Sequence, residues 1–247
     1  MEIQQLFHYT SLDALFAIIK DIDLDDPNYV YFKLRASNAL FLNDLTEGQL
    51  LPKALIYLGA TDKFLSILQS NFGYPFVVSL SELDDDLNMW RCYANNGKGV
   101  SIGLDKEILS QSSNVDNSCR LDKCKYVTIE ELAEILRKNG VDKMIENNEV
   151  KPIAQLLLQI LVYKDKSFSS EAEWRIHDFN YETKFRISDN VIVPYREIRV
   201  PVTALQSITI GPKCDFDRNQ LSIHRLLKSK ISHLHNVKII KSTVPLF

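Results

Sequence analysis

Ser169-Ser170-Glu171-Ala172-Glu173-Trp174-Arg175-Ile176 opens the last third of this 247-residue chain, and its reading decides the fold. Alternation with period two puts Glu171, Glu173 and Arg175 on one side and Ala172, Trp174 and Ile176 on the other, which predicts a strand over 171–178. Further short strands follow at 184–187, 191–195, 199–202 and 208–210, then a helix over 217–229 and a last strand at 237–240. Upstream the pattern is different. A strand at 3–8 feeds an amphipathic helix, LDALFAIIK, with Ser11 as its N-cap and Leu12, Leu15, Ile18 and Ile19 on one face. A strand at 29–34, a loop RASNALFLND and helices at 47–57 and 62–71 come next. Strands at 76–80, 99–104 and 123–127 flank a short helix at 88–94. The block 129–163 reads as mostly helical, broken at Asn139-Gly140 and Lys151-Pro152 and ending in the apolar run IAQLLLQILVY. Helices gathered in the first two thirds and strands in the last argue α+β, because the βαβ rhythm of a doubly wound sheet is absent.

Composition agrees with one compact body. Hydrophobic residues make up 45% and charged residues 25%, with only 8 Gly and 8 Pro. A chain of this length buries roughly three quarters of its unfolded surface, so disordered, collagen-like and low-complexity classes are excluded. No Gly/Ser/Pro-rich linker divides it, and a single domain over 1–247 is expected. The formal charge of −3 lacks the basic excess of a dedicated nucleic-acid binder. From Gln206 onward, however, seven basic residues face only Asp215 and Asp217. Cys92, Cys119, Cys124 and Cys214 form no C-x-x-C pair and are expected as free thiols of a reducing cytoplasm. The opening MEIQQLFHYTS is no secretory signal, and the longest apolar stretch, 154–163, is too short for a bilayer, so no membrane association is expected.

Three places hold residues suited to chemistry. Glu171 and Glu173, about 7 Å apart at two residues' rise, form either a carboxylate pair in a cleft or a solvent-facing strand paired with Arg175. His8, Tyr9 and Thr10 sit at a strand-to-helix junction, where a polar or phosphorylated ligand can approach a helix N-terminus. Ser81 closes an apolar strand; beyond it Trp90 and Tyr93 share a helix face as an aromatic wall, either core or a platform for a planar cationic ring. Asp84-Asp85-Asp86 between them reads as a solvated loop. Phosphate-loop, dinucleotide-loop, metalloprotease and nucleophile-elbow motifs are absent, and no metal site is expected.

Taken in order, these pieces resemble the bacterial family called domain of unknown function 2971, nearly end to end. The resemblance runs through His8-Tyr9-Thr10-Ser11, Leu34-Arg35, Asn43-Asp44 with Glu47, Ser79-Leu80-Ser81, Trp90 with Tyr93, and the segment from Gly99 to Asp105. It continues through Lys125-Tyr126, Lys164, Glu171 to Arg175, Ile210-Gly211-Pro212 and Lys241-Ser242. More distantly the arrangement is similar to ADP-ribosyltransferases. That likeness implies split antiparallel β-sheets and NAD as substrate, with a protein or nucleic-acid acceptor. It implies that His8 holds the adenosine ribose beside Thr10, that Tyr93 or Tyr9 stacks on nicotinamide, and that Ser81 supports the cleft. Glu173 would stabilise the cationic ribose, Glu171 would position the acceptor, and Arg175 would lie beside both. It further implies a toxin or phage-defence role with an antitoxin or immunity partner. Two other classes stay open: a metal-dependent nuclease using the same acids, and a non-enzymatic module that binds nucleic acid or a partner through the basic C-terminal region.

Overall fold

The computed structural model describes residues 4–22, 30–38, 49–72, 76–115, 119–153, 162–178, 183–188, 190–230 and 237–246. The elements in chain order are β1 (Gln5–Thr10), α1 (Leu12–Lys20), β2 (Tyr31–Asn38), α2 (Leu50–Tyr57), α3 (Asp62–Phe72), β3 (Phe76–Ser81) and α4 (Leu87–Tyr93). They continue with β4 (Val100–Asp105), α5 (Lys106–Val115), β5 (Cys119–Lys123), β6 (Lys125–Val127), α6 (Ile129–Lys138), α7 (Val141–Glu146), β7 (Tyr163–Asp165) and β8 (Glu173–Asp178). Last come β9 (Lys184–Ser188), β10 (Val191–Pro201), β11 (Leu205–Ile210), α8 (Phe216–Lys230) and β12 (Lys238–Lys241). The class is α+β. Ser11 caps α1 as expected, its hydroxyl accepting from Ala14 N at 3.1 Å, and Gly140, at φ +75°, separates α6 from α7.

Ten strands join in one mostly antiparallel sheet, ordered β12-β11-β4-β1-β3-β2-β10-β9, with β8 and β5 attached through β3. The sheet forks. β8 pairs with β3 along its whole length, from Phe76↔Asp178 to Ser81↔Glu173, and so occupies one edge of β3. The other edge is shared: β2 pairs only with Phe76 and Val77, and β1 only at Phe7↔Ser81. Between those pairings the two branches diverge. A carbonyl in the gap, Ser79 O, receives a hydrogen bond at 3.0 Å from His8 Nδ1 in place of a strand partner, which satisfies a backbone acceptor that burial would otherwise penalise.

One pleat of the sheet is apolar. Leu6, Leu34, Val78, Leu80, Ile102, Leu104, Ile176 and Ile208 lie in a single core cluster with Leu15 and Ile19 of α1, Leu109 of α5, and Ile223 and Leu227 of α8. The second pleat is partly polar; Phe7 and Tyr9 on it pack with Met89 and Trp90 of α4. A separate helical cluster is built from α2, α3, α6 and α7 around Leu55, Phe64, Leu132, Leu136 and Ile145. The parallel pair β6–β7 links this cluster to the sheet, Cys124 N donating to Glu173 O at 2.9 Å.

Several boundaries differ from the sequence reading. The RASN part of the expected loop continues β2, the expected strands at 191–195 and 199–202 are one strand, and 123–127 divides into β5 and β6. Most of IAQLLLQILVY, the residues 39–44 of the expected loop and Glu47 lie outside the described residues. The largest change is at 171–178. Residues 166–171 form 3-10 turns and Ala172 takes φ 44°, so the strand starts at Glu173.

The ends of β1, β4 and β11 meet at a close crossing. A Cβ at Gly99 would lie 2.1 Å from Thr10 O and 2.9 Å from Ala94 O, and one at Gly211 would lie 2.6 Å from Gly97 O. These obstacles are backbone and cannot rotate away. Gly99→Ala is therefore expected to destabilise the protein by about 3 kcal/mol, read as a lowered midpoint of urea unfolding with an unchanged m-value.

Candidate functional site

The register across β3 and β8 sets Ser81 opposite Glu173 and Ser79 opposite Arg175, and paired residues share a pleat. Into this polar patch β7 delivers Lys164, whose side chain is 3% exposed. Its ammonium donates to Glu173 Oε2 at 2.7 Å and to Glu171 Oε2 at 2.6 Å. Arg175 closes the other side, Nε donating to Glu173 Oε1 at 2.9 Å and Nη2 to Oε2 at 3.1 Å. Two carboxylates and two cations thus compensate each other in a buried site, where an isolated charge would be costly.

The two glutamates are not equivalent. Glu173 is enclosed, and its backbone N–H donates to the Tyr126 hydroxyl at 2.7 Å. Glu171, at 16% side-chain exposure, is the accessible carboxylate of the pair. Its Oε1 accepts from the Tyr93 hydroxyl at 2.6 Å, and its carbonyl accepts from Ser81 Oγ, also at 2.6 Å. The left-handed Ala172 lets both acids converge on one ammonium, which a regular strand with side chains about 7 Å apart does differently.

Protonation follows from these contacts. Burial alone would lower the Lys164 amine, but Glu173 and Glu171 outweigh it and hold it above its ordinary value. Burial raises the Glu173 carboxyl against the opposing pull of Lys164. The Tyr93 phenol is pushed up by burial and by its bond to Glu171, so it remains a donor. Tyr126 rises to about 12, mainly through burial. The Cys124 thiol, buried near Glu173, is raised as well and stays protonated. His8 is lowered by burial, and its Nδ1–H bond to Ser79 O leaves Nε2 as the acceptor of a neutral ring.

Other predicted site residues fall elsewhere. Trp90 is fully buried against Tyr9, ring centroids 5.0 Å apart and nearly perpendicular, so no ligand ring can stack on it. Tyr9 is likewise core: its hydroxyl donates to Leu83 O and accepts from Asp86 N, each at 3.0 Å. Ser81 is inaccessible and fixes backbone, accepting from Leu83 N at 3.0 Å besides its bond to Glu171. Thr10 lies at the glycine crossing, where its carbonyl faces Gly99. His8 sits in the fork, and alternation along β1 puts it on the pleat of Leu6, opposite to that of Glu173. Arg175 is buried beside Glu173 as a counter-ion. The expected cluster therefore reduces to Glu171, Glu173, Arg175, Ser81 and Tyr93, joined by Lys164 and Tyr126.

Of the three aspartates, Asp84 is exposed as the solvated-loop reading expects, whereas Asp85 and Asp86 form a clamp, a correction to that reading. Asp86 caps α4, accepting from Asn88 N at 2.9 Å and Met89 N at 3.0 Å. Asp85, at φ 51°, accepts from Trp90 Nε1 at 2.8 Å, Ser242 Oγ at 2.5 Å, Thr243 N at 2.6 Å and Thr243 Oγ1 at 2.7 Å. Burial would raise its carboxyl, but these donors hold it below the usual range. The segment after β12 is thereby tied to the helix that presents Tyr93. An Asp before a short apolar helix signals the cap; nothing local to Asp85 announces donors more than 150 residues away.

Residues 89–176 match the family described as Protein of unknown function (DUF2971). That span contains Tyr93, Tyr126, Lys164, Glu171, Glu173 and Arg175, and excludes β1 and β3. No curated protein and no solved structure matches the chain. Among the described residues no helix is long and apolar enough to cross a membrane, no group of three or more His, Cys, Asp or Glu is placed to hold a metal ion, and the four cysteines are free thiols.

Removing Lys164 leaves the buried Glu173 and the partly exposed Glu171 without their shared cation. Lys164→Met is expected to cost about 3–5 kcal/mol of unfolding free energy, and adding Glu173→Gln to restore a substantial part of it, a coupling read from a double-mutant cycle. His177, 1% exposed, supplies a pH test. Burial, then Arg175 and Arg120, lower its imidazole from 6.5 to about 3. Its folded value is depressed, so its contribution is complete above pH 6.5 and declines as pH falls towards 3. Stability is expected to drop by up to about 3 kcal/mol from this group by pH 4, and His177→Gln to flatten that slope in denaturant melts.

Proposed function

We propose that the protein is an NAD-dependent ADP-ribosyltransferase whose substrate-facing carboxylate is Glu171. The observation that carries this reading is the position of Glu171: partly exposed, hydrogen-bonded to Tyr93 and Lys164 at 2.6 Å each, and braced from behind by the enclosed Glu173. A carboxylate held in advance by fixed donors stabilises a developing positive charge without reorganising. Cleavage of the N-glycosidic bond of NAD creates such a charge: the carbon–nitrogen bond breaks with its electron pair leaving on nicotinamide, and the ribose becomes oxocarbenium-like. An acceptor nucleophile then forms a bond to that carbon and gives up its proton.

In this reading the roles implied by the resemblance are exchanged between the glutamates. Glu173 is occupied by Lys164 and Arg175 and positions them; Glu171 meets the substrate. His8, on the pleat opposite to Glu173, has no part in this site beyond its bond to Ser79; the forked sheet is in keeping with the split sheets of such enzymes. The ring of Tyr93 borders nicotinamide. A nuclease bridging the two acids with a dication fits less well, because the Lys164 ammonium already occupies the space between them.

The test is release of nicotinamide from NAD, followed chromatographically with protein, RNA and DNA acceptors present. Glu171→Gln is expected to lower kcat/KM at least about 100-fold while melting near the parent temperature. Glu173→Gln is expected to lower the melting temperature as well, because it uncouples Lys164 and Arg175. Neither turnover nor calorimetrically detectable NAD binding in the parent would refute the assignment.

A further inference from the structure

On the branch formed by β2, β10 and β9 the second pleat carries a concentration of positive charge. Register puts Lys33 opposite Arg199 and Arg35 opposite Glu197 on β2 and β10, while Lys184 and Arg186 of β9 lie opposite Tyr195 and Val193. All of these side chains share one face. Their contacts agree with that: Lys184 reaches Glu197 at 2.8 Å and Lys33 reaches it at 3.8 Å. The Arg35 guanidinium lies 5.2 Å from the centre of the Tyr195 ring, and Arg186 Nη2 donates to Ser37 Oγ at 3.4 Å. Five cations therefore meet one carboxylate, in a chain whose overall charge is −3.

The Lys33/Arg199 pair is unusual. Like charges directly opposite on neighbouring strands are destabilising, and among the described residues Lys33 has only the long contact to Glu197 to offset it. Arg199 is exposed and has no ion-pair partner among the described residues. A fold with no use for this pair would gain by changing either member. Lys33 and Arg35, two residues apart along β2, lie roughly 6.7 Å from each other in rise, a spacing suited to successive phosphates of an extended strand. The Arg35 guanidinium, backed by an aromatic ring, keeps its N–H edge available for bidentate contact with phosphate. The same pleat continues through Ser37↔Val77 into β3 and thence to Glu173.

We propose that this face is a docking surface for single-stranded nucleic acid, held through its phosphates by Lys33, Arg35 and Arg199. As a statement about the acceptor of the transferase reaction it rests on the reading above; as a statement about binding it stands apart from it, so binding is measured without NAD. The probes are fluorescein-labelled 20-nucleotide oligo(dT) and oligo(rU), followed by anisotropy between 50 and 300 mM salt. The parent is expected to bind at least one of them at 50 mM salt, in roughly the micromolar range, with a log–log salt slope of about −2 to −3. Lys33→Gln with Arg199→Gln is expected to lose at least about 10-fold in affinity and about 1.4 units of slope. The charge-preserving Lys33→Arg with Arg199→Lys is expected to bind like the parent.

Removing the repulsion should also leave the Gln double variant melting no lower than the parent. Four outcomes would overturn the proposal: no binding at 50 mM salt, unchanged binding by the Gln double variant, displacement by poly-glutamate as effective as by unlabelled oligonucleotide, or a markedly lowered melting temperature of that variant. Glu171→Gln is carried alongside. Normal oligonucleotide binding by this variant and the parent, with neither NAD turnover nor NAD binding in the parent, would leave the surface standing and refute the enzyme; NAD turnover without oligonucleotide binding would do the reverse.

Discussion

The Lys164 ammonium, held between Glu171 and Glu173, is the contact on which the local architecture depends. With the contacts that Cys124 and Tyr126 make to the Glu173 backbone, it fastens together the β6–β7 pair, the 3-10 turns ending at Glu171 and the first residue of β8. Each partner would be a poor buried residue alone. Together with Arg175 they form a compensated set in which desolvation is offset by short charge-assisted hydrogen bonds. Charge balance also sets which acid is accessible. Glu173 has a cation on each side and is enclosed, whereas Glu171 shares one cation with it and keeps an edge towards solvent.

The fork supplies the second constraint. A six-residue strand that serves β8 on one edge and two different branches on the other cannot satisfy every backbone group by strand pairing. The His8 ring fills the resulting gap at Ser79, so this imidazole has a structural task that does not depend on any ligand. Its neutral state follows from burial, which outweighs the opposing pull of that bond. The parallel strand β12 and the antiparallel hairpin β9–β10 then finish the two branches at opposite ends of the sheet.

Much of this could be read from residue order. Alternation and capping located most strands and helices to within a few residues, and the gathering of helices before strands fixed the α+β class. The failures have physical causes. Helix α5, KEILSQSSNV, has only Ile108, Leu109 and Val115 as apolar residues among Ser, Gln and Asn, and its start is marked only by Asp105, which accepts from Ile108 N at 3.0 Å. Ala172 adopts a left-handed conformation with neither Gly nor Asn to announce it, so a strand was read two residues too early. Trp90 and Tyr93 do share a helix face, but periodicity cannot tell a buried face from an open one, and Tyr9 and Asp85 from distant segments decided that Trp90 is core. Pairing the two acids was legible; ranking them was not, because the rank depends on Lys164 and Arg175 arriving from either side.

The clamp at Asp85 gives the chain an order of completion. Synthesis runs from the N-terminus, so Trp90 and Tyr93 leave the ribosome long before Lys164 and Glu171, and longer still before Ser242 and Thr243. Until Ser242 and Thr243 emerge, an aspartate in a left-handed conformation has only one of its four donors, and the helix bearing Tyr93 lacks this restraint. Tethering of α4 is thus a late event of synthesis, made by residues that follow Asp85 by more than 150 positions.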